Sequence, residues 1–278
     1  MTLTSSIQTR TRLARRRGQD GLPRGVLLGA EIAVPVALLA LWGFASAGST
    51  NAFFPPLQTI LQRLWQLAQT PAFLLDIASS VGNLVVSFLL ATVIGVLVGL
   101  LLGLVRPLSW FAEPTIHFFR AIPPVALVPI FVSLIGFGTE TRILSITLAA
   151  VFPILISTID GVRAGEPTLE MVSRVYRLSA GERLFSVMLP AASPRILSGM
   201  QVSLITAFVV MIASEMLGSS TGLGAATLLA QQSFAIPDMW AGILVLGVIG
   251  YTATAVFTLF RRRVLRWYIA SQQQEKNA

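Results

Sequence analysis

Six apolar windows, near residues 25–47, 80–104, 115–136, 142–161, 197–218 and 239–260, recur along this chain of 278 residues. Each approaches or exceeds the roughly 20 residues a helix needs to cross a hydrocarbon core. Backbone amides find no water there, so a spanning segment must satisfy them internally. The windows are continuously apolar rather than alternating, which predicts an all-α integral membrane fold of six transmembrane helices. Composition agrees: 12% of residues are charged, against about 25% in soluble domains. One membrane domain is expected over 24–268. A basic tail at 1–23, without apolar periodicity, precedes it, and a second tail at 269–278 follows.

The net charge of +8 has a pattern. Arg10, Arg12, Arg15, Arg16, Arg17 and Arg24 precede the first window, and Arg261, Arg262, Arg263 and Arg266 follow the last. Arg106 and the five arginines from Arg163 to Arg195 fall on the same side, leaving Arg63 and Arg142 on the other. Cationic loops stay in the cytoplasm, so both termini are placed inside, and the charge needs no nucleic acid. The apolar run from Gly25 exceeds the 7 to 15 residues of a signal-peptide core. It is read as a retained span despite Ala45-Ser46-Ala47 at its end.

Several chemistries lack their residues. There is no cysteine, which removes disulfides, thiolate catalysis and cysteine-bound metals. His117 is the sole histidine, too little for a zinc motif or a convincing relay, so neither metal nor catalytic residues are predicted. The only lysine is Lys276, and a phosphate-cradling Gly-Lys-Ser/Thr loop is therefore impossible. Nucleotide energy, if used, must be bound by another subunit.

Local signals subdivide the chain. Pro55-Pro56 followed by Leu57, Ile60, Leu61, Leu64, Leu67 and Ala68 predicts an amphipathic helix over 53–72 along the outer surface. Gly95, Gly99 and Gly103 share a helical face and form a packing stripe, within the subunit or across a dimer. Pro114, Pro123, Pro124 and Pro129 make the third window either a kinked helix or a broken one lining a cavity. The run Gly218 to Gly224 reads as a re-entrant gate or a plain connector. Glu31, Glu113, Arg120 and Glu215 stand in or near apolar windows, where charges face a bundle interior or a pathway. These boundaries put Arg120 one turn into its span near the cytoplasm and Glu215 near the external end, so the two are not expected to pair. Glu215 is read as a hydrogen-bond acceptor holding the glycine-rich loop. Arg120, Pro123, Pro124, Pro129, Glu215, Gly222 and Gly224 are the pathway or gate candidates.

The cytoplasmic loop 163–196 is polar between greasy neighbours. Pro167 suits a first helical turn, with Leu169, Val172, Val175 and Tyr176 on an apolar face and Ser173, Arg174 and Arg177 polar. Ser179-Ala180-Gly181-Glu182 has capping-box spacing, so a second helix should start at Ser179 and end at Pro190. Such an element offers itself to a soluble partner.

This loop resembles the coupling loop of permease subunits of bacterial ATP-binding cassette importers, in which a Glu-Ala-Ala, a Gly and a downstream Leu-Pro form the helix docking into an ATPase. Anchoring on Leu189-Pro190 puts Met171, Val172 and Ser173 on the Glu-Ala-Ala and Arg177 on the Gly. Arginine disfavours a left-handed bend there, so the bend is expected to move to Leu178-Ser179. Phe119 to Pro129, Phe152-Pro153 with Asp160 to Arg163, Leu189 to Pro194, and Glu215 with Gly222-Leu223-Gly224 also resemble that family. The likeness runs from about Phe54 to Trp267 and points to the branch importing nitrate, taurine, alkanesulfonates and vitamin-precursor-like compounds. It implies a permease of the bacterial inner membrane, dimeric with itself, carrying no cofactor. ATP and Mg would sit on two ATPase subunits, a solute-binding protein would dock outside, and alternating access would follow ATP hydrolysis. Glu170, Met171, Val172, Ser173, Arg174, Tyr176, Arg177, Leu178, Ser179, Gly181, Leu189 and Pro190 become the ATPase-coupling residues. The alternative is a secondary transporter or channel without an ATPase. Paired intramembrane acids or inverted repeats would mark one, and neither is evident.

Overall fold

The computed structural model describes residues 24–165, 171–173, 175–268 and 270, with side chains described from residue 33 on and Pro35 excepted. The predicted tail at 1–23, the end beyond 270, the side chain of Glu31, and Glu170 and Arg174 lie outside the described residues. The chain forms two compact units, Met1–Thr59 and Ile60–Ala278.

In the first unit, α1 (Arg24–Ser46) coincides with the first apolar window. Its described apolar run, Val36–Ser46, is shorter than a span. The Ser46 hydroxyl closes this helix by accepting from the Leu57 N–H at 3.1 Å, and the Trp42 and Phe54 rings lie 6.4 Å apart. The predicted amphipathic helix, α2 (Leu57–Leu67), starts directly after Pro55-Pro56 as the pattern predicts, although it is shorter.

The second unit contains α3 (Pro71–Leu104), α4 (Arg106–Ala121), a 3₁₀ turn (Pro124–Leu127), α5 (Val128–Ile135) and α6 (Thr139–Arg163). A helix from Ala180 then widens to π geometry over Arg183–Met188 and continues as α7 (Leu189–Gly218), followed by α8 (Leu223–Gln232) and α9 (Ile236–Val264). Among the described residues four helices are long and apolar enough to cross a membrane: α3, α6, Ala180–Gly218 and α9. The pair α4 and Pro124–Ile135, bent by 85°, makes a fifth passage if counted as one span.

α6 is the centre of the core, with α3 and α7 packed on it. The glycine stripe explains one face. A Cβ on Gly95, Gly99 or Gly103 would lie 2.9, 2.6 or 2.9 Å from the Cβ of Ile154, Thr158 or Val162. These contacts advance together along both helices, so α3 and α6 run parallel at the close approach that small residues permit. The stripe thus packs within the chain. On the other face Gly161 meets Ala192, Gly199 meets Ser157, and the Ser203 hydroxyl donates to Ala150 O at 2.6 Å. That register is antiparallel.

Three sequence expectations change. α3 starts at Pro71, nine residues before the window at 80, because Asp76, Ser79, Ser80 and Asn83 dilute hydropathy without breaking the helix. The third window is not one span from 115: α4 starts at Arg106, and the chain breaks at Ile122-Pro123, where consecutive prolines cannot donate into a helix ladder. The helix after Ser179 does not end at Pro190. In the π segment the Leu189 N–H reaches back to Leu184 O, and this wider turn gives room for the ring that would strike the preceding turn of an α-helix. Pro194 is absorbed too, since the Ser193 hydroxyl donates to Pro190 O at 2.7 Å, the carbonyl that residue 194 cannot serve.

Candidate functional site

Three regions concentrate the polar chemistry. The first is at the C-terminal end of α7. Glu215 is completely buried there, and its Oε2 accepts from the Ser80 hydroxyl at 2.8 Å and from the Gly224 N–H at 2.9 Å. Ser80 Oγ in turn accepts from the Leu223 N–H at 2.9 Å, and Asp76 Oδ1 accepts from the Gly222 N–H at 2.7 Å. Gly222 has φ +105°, and a Cβ on it would sit 2.5 Å from the Glu215 carboxyl carbon. Only glycine fits such a position. Arg142, 5% exposed, donates to Thr221 O at 3.1 Å and to Thr139 Oγ1 at 2.9 Å. The loop 218–224 is thereby clamped to α3 and α6 by an acid, a hydroxyl and a guanidinium. Sequence reasoning put Glu215, Gly222 and Gly224 together but missed Asp76 and Ser80, and it counted Arg142 as a loop residue. A charge opening an otherwise apolar fourth window was the available signal.

The second region is the broken passage. Arg120 stands in the last turn of α4 rather than the first of a span, because the helix starts at Arg106. It lines a cavity of about 300 Å³ with Phe119, Pro124, Phe152, Ser157 and Thr206. The α6 residues on this cavity run from Ser145 to Ser157, and Arg120 itself is exposed. Pro124 lines the same space, whereas Pro123 and Pro129 are not among its walls. Arg120 and Glu215 are not paired: Glu215 Oε2 is held by α3 and its own loop, and its Oε1 is buried without a hydrogen-bond partner among the described residues.

The third region is the loop between α6 and α7. Residues 171–173 and 175 are helical, and the helix ends at Arg177, whose φ is +51°. The Leu178 N–H reaches Ser173 O at 3.0 Å, the 6→1 bond that closes a helix around a left-handed residue. The expected shift of the bend to Leu178-Ser179 does not occur: arginine adopts the conformation itself because the closing bond and the next cap demand it. The cap is a capping box, with the Glu182 N–H donating to Ser179 Oγ at 3.3 Å and the Ser179 N–H to Glu182 Oε2 at 2.8 Å. Ser173 is buried, while Met171, Val172, Val175 and Tyr176 are exposed, Val175 by 79%. Beneath the loop a recess of about 1030 Å³ is lined by Arg106, Trp110, Ser173, Gly181, Leu184 and Met188. At its rim Arg163 holds Glu113 at 2.8 Å. On the opposite side Arg63 pairs with Asp238, whose hydrogen bond and charge raise the guanidinium above its ordinary pKa.

Known proteins show the same plan. The taurine transport system permease protein TauC of Escherichia coli (strain K12) is 26% identical over 239 residues, covering 84% of this chain and 87% of its own. The bicarbonate transport system permease protein CmpB of Synechococcus elongatus is 30% identical over 253 residues, covering 87% and 90%. A chain from inward-facing structures of the MetNI methionine ABC transporter superposes with a TM-score of 0.61 at 21% identity, over 73% of this chain and 98% of that one. It shares the fold. A family model matches residues 91–268, from the glycine stripe through the broken passage and the loop to α9, and the chain belongs to the family of binding-protein-dependent transport system inner membrane components.

Proposed function

We propose that the chain is the permease subunit of an ATP-driven importer for small anions, working as a homodimer of six-span subunits in a bacterial inner membrane. Both termini face the cytoplasm, two ATPase subunits with ATP and Mg dock inside, and a solute-binding protein docks outside. Relatives named for taurine and bicarbonate transport support a small solute that carries an anionic group. A channel or secondary transporter would need no soluble docking element. The observation that carries the importer reading is the exposed apolar cluster Met171, Val172, Val175 and Tyr176 on a helix closed at both its bend and the following cap. Exposed apolar side chains on an ordered cytoplasmic element mark a protein interface. The rigid link from that element into α7 would transmit ATPase closure to the spans.

Tyr176→Glu combined with Val175→Glu tests this. Co-expressed with ATPase subunits of the same genome, the wild-type chain should co-purify with one of them, and the double variant should lose that association at least tenfold while reaching the membrane normally. Undiminished association would remove the loop from the interface, and solute uptake by the chain without any ATPase would overturn the importer reading.

A further inference from the structure

No charged residue occurs from 77 to 105, along α3, and the first cation after that run is Arg106. In α6 the uncharged run 143–159 is followed by Asp160 and then Arg163. Both guanidiniums therefore stand where a long apolar passage ends, and both line the recess of about 1030 Å³ beneath the loop between α6 and α7. Arg183, from the π segment, lines it too. Three cations from three elements thus face one space, and no acid is among its described lining residues. Glu113 at the rim is already engaged by Arg163 at 2.8 Å.

The surroundings of the recess narrow the kind of anion that fits. Leu90, Leu97, Leu101 and Leu104 are exposed, and steps of seven, four and three residues put them on one face of α3. Leu104 also lines the recess. At 1.5 Å per residue this stripe is about 21 Å long, more than the roughly 15 Å of hydrocarbon in one leaflet. It runs up to a recess whose wall includes Trp110, 74% exposed, and indole rings prefer the headgroup layer. A soluble anion would use the cations and leave the stripe idle, whereas a phospholipid uses both. We infer that the recess binds the phosphate headgroup of an anionic phospholipid, with an acyl chain lying along the leucine stripe. Basic pockets between spanning helices take such headgroups. The lipid would bind whether or not an ATPase docks on the loop above.

Native mass spectrometry of the full-length chain in mild detergent tests this by counting bound lipid. Dioleoylphosphatidylglycerol should bind saturably, and dioleoylphosphatidylcholine should not. An arginine near an anionic headgroup contributes about a fivefold gain in binding, so Arg106→Gln and, separately, Arg183→Gln should each weaken the phosphatidylglycerol complex about fivefold, while Arg106→Lys retains it. Two glutamine variants are used so that misfolding of one leaves the other decisive. Glycerol phosphate and inorganic phosphate, which carry the charge without a tail, should not displace the lipid at equal concentration. Unchanged binding in the folded glutamine variants overturns the site, and equal binding of phosphatidylcholine overturns the anionic headgroup. Displacement by either soluble phosphate would assign the recess to a soluble anion, and loss of the lipid when ATPase subunits are added would assign it to that interface. Either result overturns the lipid site.

Discussion

Burying a carboxylate costs several kcal/mol unless its oxygens find donors, and Glu215 finds two for Oε2, one near and one far in sequence, and none for Oε1 among the described residues. Ser80 is 135 positions distant and Gly224 is nine. Ser80→Ala removes one donor to Glu215 and the acceptor of the Leu223 N–H, an expected loss of about 1–3 kcal/mol. Gly222→Ala should cost more, since it forces a side chain into positive φ and within 2.5 Å of the carboxyl carbon. Thermal unfolding in detergent should rank wild type above Ser80→Ala, and Ser80→Ala above Gly222→Ala. The reverse order would show that the loop is not held by this carboxylate. Glu215 and the glycines were legible in the sequence as a charged residue and a helix breaker. Their partners were not, because Asp76 and Ser80 read as the polar edge of a span and Arg142 as a loop charge.

Between Met171 and Leu189 the chain changes helical geometry twice. Arg177 occupies a left-handed turn that costs an L-residue roughly 1–2 kcal/mol, held by the Leu178–Ser173 bond and the Ser179 cap. Arg177→Gly is expected to stabilise the segment by about 0.5–1 kcal/mol, because glycine returns part of the gain as backbone entropy. Ser179→Ala should cost about 1 kcal/mol. Hydrogen exchange at the Glu182 amide reads both, slowing in the first variant and speeding in the second. Faster exchange in Arg177→Gly would mean that contacts of the arginine side chain, not the backbone, hold the turn. The start of this helix was readable from four residues, since capping is local. Its continuation through Pro190 was not, because the π turn that admits the proline depends on the elements packed around it.

Taken whole, the sequence puts most of its arginines on one side of the spans and Arg63 and Arg142 on the other, and the expected orientation with both termini inside can be checked in the cysteine-free background. Ser220→Cys, in the clamped loop, should react with an impermeant thiol reagent added to intact cells, and Gly181→Cys only after permeabilisation. The opposite pattern would invert the topology and with it the docking face. By itself the sequence determined the apolar windows, the bias in charge, the helix caps, and the absence of any nucleotide site, because hydropathy and capping act over a few neighbouring residues. Tertiary structure decided that the glycine stripe packs inside the chain, that the third passage breaks at Ile122-Pro123, and that Arg142 is clamped while Arg120 lines a cavity. Those outcomes turn on hydrogen bonds and contacts between residues tens of positions apart, whose strength exists only once the helices have packed.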